Sequence, residues 1–454
     1  MTGSRLSGYP VLPLLFACVD PVGDVAGTVA GQMILRPEVT QAAATPVHRV
    51  RWTTSEPSSG RVTYGVDALD RVVGDDVVAT EHDVFVAGIA AGEPWYLQAV
   101  SQVGDDTLTS PVFSISETSA PPDLPIPTLT VPPGDEIGGF TLLPMDTPHA
   151  SYVIILDRMG LPVWWRPAQA QATYRAQYEP QGPAVTWVET DPDSGEQTFV
   201  TSTLDGVETR VPAPLEAHHD FVKLPEGGFV TLVYVDHVID GITVRTDSLQ
   251  EVLPDGSVLE LWNSFDTFDW NGDGTVGEDS RVAWPHANSL SYDAERRKLL
   301  VSFYFLDTVG QIDRDTGNLD WLLGGQLSDW TVAGAGFDSQ HGPLSFDGGQ
   351  GLTLLNNGPP DSGSTAAVAM RYALDHDAMV ATPTWTFDHD AAYTGVLLGN
   401  VDWLADDTAL VNWGTAGVLD RVNEAGEVRW SVAFRLGTFT MFSQHLSEFA
   451  GATR

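Results

Sequence analysis

Four histidines stand in three segments that share one design. "EAHHDFVKLPEGGFVTL" carries His218 and His219, "AWPHANSLSYDAERRKLLVSF" carries His286, and "DSQHGPLSFDGGQGLTLL" carries His341. Each histidine stands at the mouth of a short run that reads as a strand, followed by a turn and a second strand. One such histidine is most simply a hydrogen-bonded core residue. Three at matched places in a repeat predict convergence on one point. Gathered imidazoles have definite chemistry: a neutral ring is a nucleophile near neutral pH, while a protonated neighbour holds anionic oxygens or protonates a departing oxygen. A site of this kind calls for no metal.

Two other stretches invite a chemical reading. "DWNGDGTVGEDS" spaces Asp269, Asn271 and Asp273 as alternating oxygen donors, followed by the Thr275 carbonyl. Its twelfth position is Ser280, so Asp279 or Glu278 would have to supply the last ligand. No helical pattern flanks it, so the expectation is a calcium-stapled loop with a structural role. "RLSGYPVLPLLFAC" holds an arginine, a short apolar stretch and then Leu15-Phe16-Ala17-Cys18. This resembles a bacterial lipoprotein signal in which Cys18 is lipidated, and it predicts an exported protein, periplasmic or anchored to the outer membrane. Membrane association is expected through that lipid alone. Cys18 is the single cysteine, which excludes an intrachain disulfide. His376-Asp377 and His389-Asp390 follow strands and read as solvated turns. No glycine cluster has the Lys-Ser/Thr pair of a phosphate-binding loop.

The elements that must position these residues are strands. Among 454 residues, 44 glycines and 30 prolines imply many turns, and apolar runs such as "ASYVIILD" and "KLLVSFYFLD" are short. The expected class is all-β. A net charge of −39, with Lys223 and Lys298 as the only lysines, argues against a nucleic-acid partner. Residues 1–26 form the leader, and 27–117 read as a β-sandwich similar to a fibronectin type III module, with Trp52, Tyr64 and Tyr96 at core places. Residues 118–137 read as a proline-stiffened linker. From 138 to 454 a unit recurs, a turn glycine followed by an apolar residue and tryptophan: "DRMGLPVWW", "PDGSVLELW", "DTGNLDW", "EAGEVRW", with "ATPTWTF" a degenerate copy. Between Gly160 and Gly426 lie about five intervals of roughly 53 residues, and this predicts a β-propeller of about six blades.

"HHDFVKLPEGGFV", "W-x-H-x-N-S-x-x-Y-D", "VSFYFLDTVGQIDRDTGNLDWLLGG", "QHGP…LTLLNNG" and "MRYALD", in this order over roughly residues 138–435, resemble the bacterial arylsulfotransferases. The resemblance implies a six-bladed propeller with its site at the central channel. It implies sulfuryl transfer from a phenolic sulfate ester to a phenol through a sulfated histidine, without a nucleotide donor. His219, His286 and His341 would then be catalytic. The family's arginine follows the "NNG"-type motif, where the first base is Arg371. The family's sulfated histidine belongs to the last blade. The matching stretch here, "NWGTAGVLDRVNEAG", has none; Arg421 in it cannot act as a nucleophile, and His445 lies beyond it. Two alternatives stay open: a propeller that binds a ligand or protein without catalysis, and a quinoprotein-like redox propeller, which the histidine motifs disfavour.

Overall fold

The computed structural model describes residues 35–450 and 452–453, apart from 43–44, 170–173, 180–181, 192, 271, 278 and 359–365. The leader with Cys18, and Asn271 and Glu278 of the acidic loop, lie outside the described residues.

Residues 38–115 fold as one six-stranded antiparallel sheet. Its spine is the 18-residue strand His48–Gly65. Arg71–Val86 pairs along one edge of it. Glu38–Gln41 and then Trp95–Val103 pair along the other. Trp52 and Tyr64 are buried as expected, but Tyr96 is 43% exposed and its neighbour Trp95 fills the core. Alternation explains the difference. One residue decides which face of a strand a side chain takes, and the run "EPWYLQAV" offers two adjacent aromatics for a single inward position.

Residues 128–446 form six four-stranded antiparallel blades, with extra strands on four of them. The innermost strands of blades two to six are Ala176–Glu179, Ala217–Lys223, Ala287–Asp293, His341–Phe346 and Asn400–Trp403. Blade one takes its inner strands from the C-terminal segment: Phe439–Thr440 and Gln444–Leu446 pair with Phe140–Asp146. The ring is closed a second time at its rim. Thr128–Val131 pairs with Val428–Ala433 as the outermost strand of blade six. The segment expected to be a linker is thus in part propeller. Prolines at 125, 127, 132 and 133 bracket Thr-Leu-Thr-Val and leave it free to pair at an edge.

The repeated tryptophans sit where the pattern placed them, on the last core strand of their blades. Trp165, Trp262, Trp321, Trp385 and Trp430 are all buried there. The preceding turns need their glycines: Gly160, Gly256, Gly317 and Gly426 have φ of 73°, 83°, 69° and 81°. Blade two lacks the tryptophan in its outer strand Glu208–Pro212.

Apolar wedges alone would let blades slide. Buried polar side chains latch each inner strand to the next. Asp220 in blade three takes a bidentate ion pair from Arg175 in blade two (2.7 and 2.9 Å) and a hydrogen bond from Leu290 N in blade four (2.8 Å). Asn288 Nδ2 donates to the Gln340 carbonyl (2.9 Å), and Gly342 N donates to Ser289 Oγ (2.9 Å). Thr353 Oγ1 donates to the Val401 carbonyl (2.6 Å), and Asn400 exchanges bonds with Ser443 (2.8 and 2.9 Å). Gln444 Oε1 then accepts from Tyr178 N in blade two (3.0 Å). Much of the "HHD" and "HANS" motifs is therefore structural: Asp220, Asn288 and Ser289 carry the ring. The N-terminal sheet rests on this ring through a shared apolar core and an Arg49–Asp205 ion pair of 2.9 Å.

Candidate functional site

The inner strands of blades three, four and five share an irregularity at the end that carries histidine. Pairing with the second strand shifts between His218 and Phe221, between Ala287 and Ser289, and between His341 and Leu344. Each shift is a bulge that turns a side chain from the sheet face toward the axis. The backbone is left-handed at these points: φ is 51° at His219, 62° at His286 and 59° at Gly342. Two histidines thus hold a conformation that costs a non-glycine residue about 1 kcal/mol or more.

These turns bring His219, His286 and His341 to one cavity of about 730 Å³ on the axis. Every blade supplies part of its wall: Tyr174 before blade two's inner strand, the three histidines, Tyr304 and Phe305 from blade four, Leu398 and Thr415 from blade six, and Met441 from the closing segment. The rings of His219 and His286 meet edge to face at 4.8 Å, and Tyr174 stacks on His219 at 5.5 Å. His341 Nδ1 lies 2.8 Å from Asn357 Oδ1. Because the Asn357 amide nitrogen donates to the Val396 and Leu398 carbonyls, its oxygen accepts and His341 Nδ1 donates.

Behind them lie His218, the other histidine of the "HHD" motif, and a buried carboxylate that no motif marked, Asp247. His218 stacks flat on Tyr234 at 3.5 Å. Its Nδ1 is 2.8 Å from His219 Nδ1, and its Nε2 is 3.2 Å from Asp247 Oδ1. The last contact lies off the axis of an ideal hydrogen bond, and neither atom has another partner. The other Asp247 oxygen accepts from Ala287 N at 2.9 Å and fixes the turn that carries His286. Burial pushes the Asp247 carboxyl up to about 6, against the pull of His286 and of backbone N–H groups. Burial also drives His218 and His219 well below the ordinary imidazole range, reinforced by the His286 charge. It lowers His341 to about 4, although Asn357 and the Ser339 backbone pull upward. His286 is lowered by burial too, with Asp247 opposing. Burial thus disfavours the charged form of all four rings.

The cations come from elsewhere. Arg245 and Arg281 line the cavity. The Arg245 guanidinium lies over the Tyr234 ring at 4.8 Å, with Glu216, Asp236 and Asp279 at 3.4–3.5 Å. Its buried Nε and one terminal nitrogen make no hydrogen bond to any described residue, an uncommon state for buried N–H donors. Arg281 is better paired, to Asp279 at 2.6 Å and Asp236 at 2.7 Å. Arg371 is not at the site. It lies on the third strand of blade five, stacked over Trp403 at 3.8 Å and paired with Glu424 at 3.0 Å. A third strand stands about 10 Å from the innermost one, which removes it from the axis. His445 points away as well, with its Nδ1 3.5 Å from Arg421 on blade six.

The acidic loop forms one wall of the cavity. Thr275–Val276 pairs with Val282–Ala283, which continues in parallel on Val244–Arg245. Asp279 is engaged by Arg281 and Arg245. Among the described residues no group of three or more His, Cys, Asp or Glu side chains is arranged to hold a metal ion. His389, read as a solvated turn, is instead tied to the buried Asp420 at 2.8 Å, which also accepts from Trp413 Nε1 at 2.7 Å.

Sequence comparison finds no match among curated proteins. Solved structures give distant likenesses. A protein of unknown function from Bacteroides caccae is 13% identical with a TM-score of 0.44, covering 69% of this chain and 100% of that one. A putative 6-phosphogluconolactonase from Bacteroides fragilis is 12% identical with a TM-score of 0.41, covering 69% and 99%. Virginiamycin B lyase from Staphylococcus aureus is 11% identical with a TM-score of 0.33, covering 57% and 69%. The decisive match is to a family model: residues 137–437 fit that of the arylsulfotransferases (ASST), a span that runs from the first blade to the last and takes in every histidine of the cavity, so the chain belongs to the arylsulfotransferase family.

Proposed function

We propose that this protein transfers a sulfuryl group from a phenolic sulfate ester to a phenolic acceptor in the axial cavity. The observation that carries the reading is the meeting of His219, His286 and His341 with Arg245 and Arg281 in the wall of one cavity. Sulfuryl transfer places charge on three equatorial oxygens and needs donors aimed at them more than covalent machinery. Arg245 supplies such donors, and neutral imidazole supplies a nucleophile. Tyr174, Tyr304, Phe305 and Met441 offer apolar wall for the aryl ring. A cavity of about 730 Å³ is of the size that small ligands fill. The test is release of nitrophenol from 4-nitrophenyl sulfate, with and without added phenol. Acceptor-dependent release supports the transfer; binding without release leaves a ligand-binding propeller.

That second reading has its own observation. Blade six turns Thr415, Leu397 and Leu398 toward the cavity, and no histidine. A propeller that lost its acceptor histidine would still hold an aryl sulfate. We further read residues 1–26 as an export leader with Cys18 lipidated, and the N-terminal sheet as a module of fibronectin type III kind. Mass spectrometry of the membrane fraction should find a mature chain beginning at an acylated Cys18. A soluble product with another terminus would end that reading.

A further inference from the structure

We propose that Asp279 sets the charge that the axial cavity accepts: a singly charged aryl sulfate is admitted, and the doubly charged aryl phosphate of the same shape is turned away. The inference rests on the aryl-sulfate reading above and deepens it. Its starting point is a carboxylate in the wall of a cavity that is to hold an anion. Among the described residues Asp279 is the only acid in that wall, and Arg245 and Arg281 stand in the wall with it.

A tight hairpin fixes the place of this carboxylate. Thr275–Val276 pairs with Val282–Ala283. The turn between them is closed by hydrogen bonds from Gly277 N to the Arg281 carbonyl (2.8 Å) and from Ser280 N to the Gly277 carbonyl (3.0 Å). Asp279 Oδ1 accepts from Arg281 N at 3.0 Å, and Oδ2 accepts from Arg281 Nε at 2.7 Å. The same Oδ2 is 2.6 Å from a terminal nitrogen of Arg281 and 3.4 Å from one of Arg245. The strand Val282–Ala283 runs on through Trp284 and Pro285 to His286, so the acid and that histidine belong to one segment.

Counting charges gives the consequence. Glu216 and Asp236 pair with the same two arginines, but neither reaches the cavity wall. Two cations therefore face three carboxylates. The histidines add little, because burial disfavours their charged form. The cavity thus offers hydrogen-bond donors without a surplus of positive charge, on a molecule of net charge −39. An aryl sulfate carries one negative charge at neutral pH. A phosphate monoester loses its second proton near pH 6, so above about pH 7 it carries nearly two charges on a tetrahedral group of similar size. Donors alone do not tell the two apart. A fixed carboxylate does, because it repels the second charge as well as the first. The Asp279 side chain is 41% exposed, so water and salt screen that repulsion. The expected discrimination is therefore about tenfold and not thousands.

The experiment is titration calorimetry of the full chain at about pH 8, where the phosphate ester is a dianion. Phenyl sulfate and phenyl phosphate are each titrated into wild type, Asp279→Asn and Asp279→Glu. Wild type should bind the sulfate about tenfold more tightly than the phosphate. Asp279→Asn keeps an oxygen to accept from Arg281 N and removes the charge. It should bring the two affinities to within about threefold, chiefly by strengthening the phosphate. Asp279→Glu restores the charge and should restore the preference, a rescue that damage to the hairpin would not permit. Equal binding of both esters by wild type, or a ratio that Asp279→Asn does not move, would overturn the inference and leave the aryl-sulfate reading standing. A wild type that prefers the phosphate and loses it in Asp279→Asn would also overturn it, since the carboxylate would then be accepting a hydrogen bond from a protonated phosphate. No binding of phenyl sulfate by wild type would overturn the aryl-sulfate reading and this inference with it.

Discussion

At the residue scale the proposed reading runs against intuition, because a negatively charged molecule would receive an anion at histidines whose charged form burial disfavours. Each imidazole is held below its ordinary range by burial, so the positive field comes from guanidinium groups. Of the two arginines lining the cavity, Arg245 is the more loosely paired, with its carboxylates at 3.4–3.5 Å. Removing a charged donor costs about 1.5–3 kcal/mol, or roughly 10- to 100-fold in affinity. Arg245→Gln should weaken binding of a phenyl sulfate by that factor in titration calorimetry. Arg371→Gln should leave it unchanged, because Arg371 is occupied with Trp403 and Glu424. Equal effects of the two variants would contradict this assignment. The same burial makes stability depend on pH. His341 titrates near 4 in the folded chain against about 6.5 when unfolded. Its stabilising contribution is complete above pH 6.5 and is lost as pH falls toward 4, on the order of 3 kcal/mol in all. His218, His219 and His286 have the same sign. Asp247 and Asp402, each pushed up to about 6, oppose it: their contribution is full at acid pH and is lost as pH rises through 6. Four histidines outweigh two carboxyls, so the melting temperature should fall between pH 7 and pH 5. His341→Asn should flatten that fall, and a curve indifferent to pH in both proteins would refute the balance.

At the element scale the working device is the bulge at the mouth of an inner strand. It recurs in three blades, which is why a period in the sequence could reveal the histidines: equal places in equal repeats must meet at the axis. Residues without a period stayed hidden. Asp247 stands in "VRTDSLQEV", which reads as an ordinary alternating strand, and only the ring brings it under His218. Arg245 and Arg281 stand in no repeated motif: Arg245 lies on the strand Ile242–Val252, and Arg281 is carried over the cavity by the acidic loop that pairs beside it. Arg371 misled for a geometric reason. Nearness in sequence to a motif on the second strand says nothing about the third strand, which lies farther from the axis. The bulge in blade five admits a direct check. A Cβ on Gly342 would lie 2.6 Å from Asn400 Cβ and 2.7 Å from the Gly399 carbonyl, with φ at 59°. Gly342→Ala should therefore destabilise the protein by about 2 kcal/mol or more in denaturant melts and displace His341. A cost under about 0.5 kcal/mol would show that the bulge is not under this constraint.

At the scale of the whole molecule, closing the ring is the problem that the sequence answered least openly. The tryptophan repeat announces blades, and their number follows from spacing. The two ends that close them carry no repeat signature. Thr128–Val131 is disguised by prolines, and the segment 438–446 follows the last turn glycine, beyond the family match that ends at 437. Yet this tail supplies blade one's inner strands, the Ser443 latch to Asn400, the Gln444 latch to Tyr178, and Met441 in the cavity wall. It also buries Met441, Phe442, Leu446 and Phe449, each 5% exposed or less. At about 1.5–3 kcal/mol for each buried apolar side chain, these four account for roughly 6–12 kcal/mol, which matches the whole stability of a typical domain, about 5–15 kcal/mol. Both latches are lost along with them. Ending the chain at residue 437 should therefore not trim the propeller but open it: blades one and six would face water with apolar inner edges. The expected product is aggregation-prone, without a cooperative melt, and does not bind phenyl sulfate. Adding residues 438–454 back as a separate peptide should restore part of the melt, since the missing piece is an edge strand with its own pairing register. A truncated chain that melts cooperatively within a few degrees of the full-length protein would mean that the ring is held by its other five junctions, and that the tail only lines the cavity.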